Sequence, residues 1–219
     1  MKNSLKNFII LSMKIEKLRI LFTNIFFITS GNKRILIDTG YPLGKKRFFE
    51  KISNFDSIDF VILTHTHFDH AGNAAYLKEK GSIIVVHKNE ASWLVQGETP
   101  RPPGVKHIGK TIMRFSTLKS VKFPPTTPDI VISELTQIEE LVLVPTPGHT
   151  PGSISIVWKD IAFCGDLIMN LTWRPFSHLP IFAHDLNEVK KSIEKLVQMG
   201  VKVIYPAHGK PVKIENLKI

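Results

Sequence analysis

Thr64-His65-Thr66-His67-Phe68-Asp69-His70 decides how this chain is read. Three imidazoles and a carboxylate fall between His65 and His70, directly after the apolar run Ile58 to Leu63. A strand ending there alternates its side chains, so His65 and His67 point to the same side. Asp69 and His70, one turn further on, face a second point close by. Imidazole and carboxylate suit zinc, iron or manganese, and a divalent ion held by them turns water into a nucleophile near neutral pH. The competing reading, a polar loop rich in histidine by accident, must explain four candidate ligands in six residues at a strand end. The segment reads as a metal site.

Around it lies a chain of 219 residues, enough for one domain with a sizeable core or two small ones. Its 43% hydrophobic content is ordinary for a soluble globular protein. A single cysteine, Cys164, excludes an internal disulfide framework and suits a reducing cytoplasm, where the protein is expected to reside. It also excludes a thiolate zinc site, so any metal takes nitrogen and oxygen ligands. No apolar run approaches the roughly 20 residues that span a bilayer, and no membrane partner is expected. Lys2 and Lys6 precede Phe8-Ile9-Ile10-Leu11, a faint likeness to a signal peptide. The apolar piece stops at Lys14 and no small-residue cleavage site follows. Residues 1–12 therefore read as an appendage, with 13–219 as the domain.

A net charge of +10 permits nucleic-acid or anionic-substrate binding without demonstrating either. From Arg101 to Lys122 there are six basic residues and no acidic one, within a proline-rich stretch from Thr99 to Pro128. This reads as a long irregular connection with one embedded strand, and such loops often form lids or binding loops. The regular elements fall into two runs. Strands are expected at Ile15–Phe22, Ile25–Thr29, Arg34–Asp38, Ile58–Leu63 and Ile83–His87. Helices are expected at Lys45–Ser53, Ala71–Lys80 and Asn89–Gln96. The second run has strands at Glu140–Val144, Ser153–Trp158, Ile161–Cys164 and Val201–Tyr205. A helix opens at Asp185 with capping-box character and ends at Gly200. Two runs of strands interleaved with helices predict two sheets face to face with helices outside.

Three further candidate ligands stand at strand ends or loops: His149 in Gly148-His149-Thr150, Asp166 in Cys164-Gly165-Asp166, and His208 in Ala207-His208-Gly209. The adjoining glycines remove side-chain bulk and let the backbone turn. Singly each is weak, because a histidine beside glycine is commonly a turn residue. In this order behind the first cluster they gain force. Together with Leu36-Ile37-Asp38-Thr39-Gly40, the pattern resembles the metallo-beta-lactamase fold superfamily from about Lys14 to Pro211. The resemblance implies an α+β fold, a four-layer αβ/βα sandwich, with two divalent metal ions, zinc foremost and iron or manganese as alternatives. It places His65, His67 and His149 on the first metal, Asp69, His70 and His208 on the second, and Asp166 between them. Asp38 would orient the ligand loop by hydrogen bonds without touching metal, a role compatible with a strand-end carboxylate capping a turn.

Five neutral imidazoles and two carboxylates contribute −2 against +4 from two divalent ions, leaving +2. The implied reaction is hydrolysis by a metal-bridging hydroxide, with Asp69 or metal-bound water passing a proton to the leaving group. Beta-lactamases of the superfamily lack a bridging aspartate at the position of Asp166, which directs the reading to glyoxalase-II-like and lactonase-like members. The tyrosine typical of quorum-quenching lactonases is missing from the segment after Asp166, and the chain stops ten residues after Gly209. A small ester, lactone, thioester or phosphodiester substrate is expected, one that develops negative charge. Trp93, Trp173, Phe176 and Phe182 are candidates for an apolar wall and Arg174 or Lys106 for an anion anchor; the same residues also read as ordinary core and solvated surface. A mono-iron oxidoreductase similar to persulfide dioxygenases, and a metal-dependent nuclease or nucleic-acid binder, are the alternatives. The sequence leaves dimerisation open.

Overall fold

A computed structural model describes residues 13–42, 45–52, 57–105, 109–111 and 120–219. The amino-terminal appendage at 1–12, the candidate anchor Lys106 and most of the basic stretch after it lie outside the described residues.

The chain opens as an antiparallel meander of β1 (Lys14–Ile20), β2 (Thr23–Ser30) and β3 (Lys33–Ile37). Helix α1 (Lys45–Ile52) then carries it over to β4 (Phe60–Ile62), which pairs parallel with β3. Two short helices follow, α2 (Phe68–Ala71) and α3 (Ala74–Glu79), before β5 (Ile83–His87) and α4 (Lys88–Gln96). The strands β6 (Glu98–Pro100) and β7 (Ser120–Lys122) pair as a small antiparallel ribbon, and β8 (Ile130–Ile132) closes the first sheet beside β5. That sheet runs β1-β2-β3-β4-β5-β8.

The second sheet contains β9 (Thr136–Ile138), β10 (Leu141–Pro145), β11 (Ile154–Trp158) and β12 (Ile161–Phe163). After the two-residue β13 (Met169–Asn170), helix α5 (Leu186–Gln198) crosses to β14 (Val203–Tyr205). Last come β15 (His208–Gly209), which pairs with β13, and β16 (Val212–Lys213) on the sheet edge. The order in this sheet is β16-β14-β12-β11-β10-β9.

Strand alternation sorts the apolar side chains into three cores, as four layers require. Phe27, Leu36, Val61, Ile84 and Val86 face outward under α1, α3 and α4, packing on Phe48, Leu77 and Leu94. Their neighbours Phe26, Ile28, Ile35, Ile37, Ile62 and Val85 face inward against Leu141, Leu143, Ile154, Ile156 and Phe163 of the other sheet. Beyond that sheet, Val144, Val157, Ala162 and Ile204 meet Val189, Ile193 and Leu196 of α5. The helix presents these at i, i+4 and i+7, one face of a helical period. Its start is fixed by Asp185, whose side chain accepts from the backbone N–H groups of Asn187 and Glu188 at 2.8 and 3.1 Å.

The expected α+β sandwich is the architecture found. Three details differ. The helix expected over Ala71–Lys80 is interrupted at Gly72-Asn73, because Asn73 turns its amide onto the carbonyls of Thr39 and Tyr41 at 2.7 and 3.1 Å. Among the described residues the stretch 99–128 holds strand residues of two strands, β6 and β7, where one was expected, and β8 and β9 were not expected. Each is three residues long, too short to display a period of two in sequence. Among the described residues no helix is long and apolar enough to cross a membrane.

Candidate metal centre

The loops at the carboxyl ends of β3, β4, β12 and β14, and the turn between β10 and β11, converge on one edge of the sandwich. They bring Asp38, the His65–His70 segment, Asp166, His208 and His149 together. All the His and Asp side chains among them except His208 are buried, and the His208 side chain is largely covered. The approach of the two sheets depends on Gly165, whose φ is +53° and whose Cα lies against Thr64. A Cβ there would stand 2.5 Å from the Thr64 Oγ1, so a side chain would force the Asp166 loop away from the His65 loop.

Five imidazoles aim one nitrogen inward. His149 donates its Nδ1–H to the Phe182 carbonyl at 2.8 Å, and His208 donates its Nδ1–H to the Phe22 carbonyl at 3.0 Å. A carbonyl only accepts, so these bonds place a proton on Nδ1 and turn Nε2 of both rings toward the cleft. His70 Nδ1 is held by Asp38 Oδ2 at 2.8 Å in the same way. Asp38 is itself set by the Thr64 backbone N–H at 2.8 Å and the Thr64 hydroxyl at 2.8 Å, and it adopts φ +61° to do so.

Inside the cleft the donors form two groups. His65 Nε2 and His149 Nε2 lie 2.9 and 3.0 Å from His67 Nδ1. His208 Nε2 lies 3.2 Å from Asp69 Oδ2, and His70 Nε2 lies 3.7 Å from the same oxygen. Asp166 stands between the groups. Its Oδ1 is 3.3 Å from His208 Nε2 and 3.4 Å from His70 Nε2, while its Oδ2 is 3.6 Å from His149 Nε2. Three sets of three each offer atoms within 4.8 Å of one another: His65 with His67 and His149, Asp69 with His70 and His208, and, joining the two, His65 with His70 and Asp166.

This donor set fits divalent cations. Two imidazole nitrogens, of His65 and His149, crowd a third on His67 at 2.9 and 3.0 Å; one shared proton satisfies a single such contact, whereas a cation attracts all three lone pairs. Buried atoms of the same cluster, His70 Nε2 and Asp166 Oδ1, close no hydrogen bond of good geometry, a costly condition for polar atoms unless something else satisfies them.

The electrostatics divide along the same line. Burial pushes His65 well below the ordinary imidazole value, with His70 and His67 adding to the effect. Burial, then His149, brings His67 down to about 3, and burial also lowers His149. These rings are neutral at pH 7. Burial acts in the same direction on His70 and His208, but neighbouring carboxylates override it. Asp69, Asp38 and Asp166 raise His70 well above the ordinary value, and Asp166 with Asp69 does the same for His208. Reciprocally, burial would raise Asp69 and Asp166, yet the charges of His70 and His208 hold both below the usual carboxylate range.

All seven residues expected as ligands, with Asp38 behind them, are thus drawn together. The expected pocket residues fare differently. Arg174 requires correction: its guanidinium is turned inward, donating to the Leu179 carbonyl and to Ser177 Oγ, so it staples its own loop and offers no charge to an anion. Trp173 and Phe176, on that loop, are 58% and 66% exposed. Phe182 contributes its backbone carbonyl to His149, and its ring lies under the Arg101 guanidinium. Trp93 stacks on His184 at 6.5 Å between centroids, close to the His149 loop through the His184 N–H bond to the His149 carbonyl.

Two hydroxyls at the site escaped the sequence reading. Thr23 donates to Asp69 Oδ2 at 3.1 Å and is hydrogen-bonded in turn to the half-buried Tyr41, whose phenol is raised to about 12 by burial and by Asp69. A tyrosine directly after Asp38-Thr39-Gly40 was the available signal.

Fold and site together define a metallo-hydrolase-type centre, and residues 18–208 match the Metallo-beta-lactamase superfamily. The chain belongs to that superfamily. Among its relatives, the "Probable metallo-hydrolase YflN" of Bacillus subtilis is 24% identical over 237 residues, covering 93% of this chain and 87% of that protein. The "Probable metallo-hydrolase MJ0888" of Methanocaldococcus jannaschii is 28% identical over 194 residues, covering 84% and 86%. Among solved structures, MEM-A1, a subclass B3 metallo-beta-lactamase from a soil metagenome library, superposes with a TM-score of 0.63 at 20% identity, covering 90% of this chain and 76% of that one. BJP-1 of Bradyrhizobium japonicum, another subclass B3 enzyme, gives 0.60 at 21% identity, covering 85% and 71%. At such identities these structures speak for the fold alone.

Proposed function

We propose that this protein is a two-metal hydrolase acting on a small ester, lactone, thioester or phosphodiester. The observation that carries the reading is Asp166, which turns one carboxylate oxygen toward His70 and His208 and the other toward His149. His65, His67 and His149 would hold one ion, Asp69, His70 and His208 the other, with Asp166 shared. When bound, a pair of divalent ions supplies Lewis acidity and lowers the pKa of water enough to make it a nucleophile at neutral pH.

The remaining work falls to the chain. Phe182, Phe22 and Asp38 keep the imidazoles of His149, His208 and His70 turned with Nε2 inward. Asp69 Oδ2, ionised at the edge of the cleft, would accept a proton and pass it to the leaving group, and it is held by the Thr23 hydroxyl, itself bonded to Tyr41. Tyr41 supplies, from the β3 side, the phenol that lactonase-like members place near their metals, which keeps lactones among the substrates. Asp166 weighs against antibiotic hydrolysis as the main role. The expected mono-iron oxidoreductase would leave Asp69 and His208 without a partner ion, and so ranks second.

The test is a panel of ester, lactone, thioester and phosphodiester substrates, run on protein of measured metal content. Turnover that vanishes with chelation and returns with zinc, iron or manganese supports the reading. Oxygen uptake with glutathione persulfide by protein holding one iron would replace it.

A further inference from the structure

Glu90 is a fully buried carboxylate that no step above uses. It lies in the first turn of α4, whose N-cap is the His87 ring accepting from the Asn89 N–H at 3.2 Å. A carboxylate at this end of a helix is favoured by the helix dipole, but full burial is a high cost for that gain alone. Its contacts explain the burial. Glu90 Oε2 accepts from the Thr66 backbone N–H at 2.8 Å and from the Thr66 hydroxyl at 2.6 Å. Thr66 stands between His65 and His67. Its carbonyl is held by the Thr99 hydroxyl at 2.7 Å, so both backbone polar atoms of this residue are gripped by side chains.

The other face of the carboxylate meets the His149 loop. It lies within polar reach of the Thr150 hydroxyl and the Gly152 N–H, although Oε1 closes no hydrogen bond of good geometry. The approach is close: a Cβ on Gly152 would stand 2.5 Å from Glu90 Cγ and 2.8 Å from Oε1. From the preceding residue, the Asn89 side-chain amide donates to the Pro151 carbonyl at 3.1 Å. The first turn of α4 is therefore wedged between the two loops that carry the three imidazoles, gripping Thr66 on one side and Pro151 and Gly152 on the other.

We propose that Glu90 is the positioning residue of the His65, His67 and His149 group: it sets the spacing between their two loops and thereby the metal affinity of that group. This rests on the reading that the group holds a metal ion. The other group is oriented by different residues, Asp38 and Thr23, so the effect of Glu90 should be confined to one of two ions.

Metal-free wild type, Glu90→Gln and Asp38→Asn proteins are titrated with Co(II) against a competing chelator, following the visible spectrum, with thermal melting of each metal-free protein beside it. Glutamine keeps the volume and an acceptor for Thr66 but turns an amide toward the Gly152 N–H, two donors face to face. The expected result is a roughly 10–100-fold loss of affinity for one equivalent, the usual size for groups that support ligands. Asp38→Asn should weaken the other equivalent, and the double variant should show both losses additively. Thr66→Val, which removes the hydroxyl and leaves the N–H, should show a smaller loss on the equivalent that Glu90→Gln affects. Wild type with two equivalents and Glu90→Gln indistinguishable from it overturns the proposal alone. So does a parallel fall of both equivalents with melting temperature, the mark of a merely structural role. Wild type that takes up no Co(II) removes the reading of the site and this proposal with it.

Discussion

The two donor groups lie side by side in one cleft, yet they are stabilised by opposite means. His65, His67 and His149 have Asp166 beside them, 3.6 Å from His149, but burial outweighs it and keeps the rings neutral. Asp69, His70 and His208 form a crossed set in which buried carboxylates keep imidazoles protonated and imidazolium keeps carboxylates ionised. The first group offers lone pairs at pH 7 without further change. The second holds protons in the protein alone, and a cation arriving there must displace them. The loops bring both groups into one cleft, and the difference comes from which carboxylates face which rings.

The largest effect should come from removing the residue between the groups or a member of one. Asp166→Ala and His149→Ala should each lower kcat/KM by more than the roughly 10–100-fold typical of losing a hydrogen bond to a ligand. Steady-state kinetics on metal-loaded protein gives the answer; an Asp166→Ala enzyme at wild-type rate would dissolve the pairing of the two groups.

Next in size is the response to pH. His70 and His208 are raised above their ordinary value, so protons compete with metal below those raised values and affinity at their group falls as pH is lowered from 8 to 6. The slope should reach up to about tenfold per pH unit for each proton displaced. The other three imidazoles are lowered, so affinity at their group should stay flat over the same range. Chelator-competition titrations at three pH values measure both, and two parallel slopes would erase the distinction.

Asp38 offers a smaller and more selective effect. Asp38→Asn should weaken only the second equivalent, while Asp38→Ala should in addition lower stability by roughly 1–2 kcal/mol, because alanine tolerates the φ of +61° less well than asparagine. Melting of the two metal-free variants separates the backbone effect from the loss of the His70 bond. Smallest is Thr23→Val, which deletes one hydroxyl bond to Asp69 and should cost about 1 kcal/mol, or roughly fivefold in kcat. A change in KM alone would place Thr23 in substrate binding instead.

The seven ligand candidates were legible because each carries its chemistry in its own side chain at a strand end, and the sandwich followed from two runs of apolar strands. What could not be read falls into two kinds. The carbonyls of Phe182 and Phe22, which fix two ring orientations, belong to the backbone and have no residue signature. Arg174 and Glu90 depend on long-range burial: one reads as a surface cation and the other as a helix-start acid until the fold encloses them. Tyr41 was readable in principle. It sits two residues beyond Thr39, and only the return of β3 beside Asp69 makes it part of the site.

The central claim, two cooperating metal ions, is tested most directly by counting them. Purified protein stripped with chelator, reloaded with zinc and dialysed, is assayed by elemental analysis together with hydrolysis of the best panel substrate. Two equivalents per chain, with Asp166→Ala losing both the second equivalent and the activity, is the predicted result. One tightly held ion, with hydrolysis surviving Asp166→Ala, would contradict it.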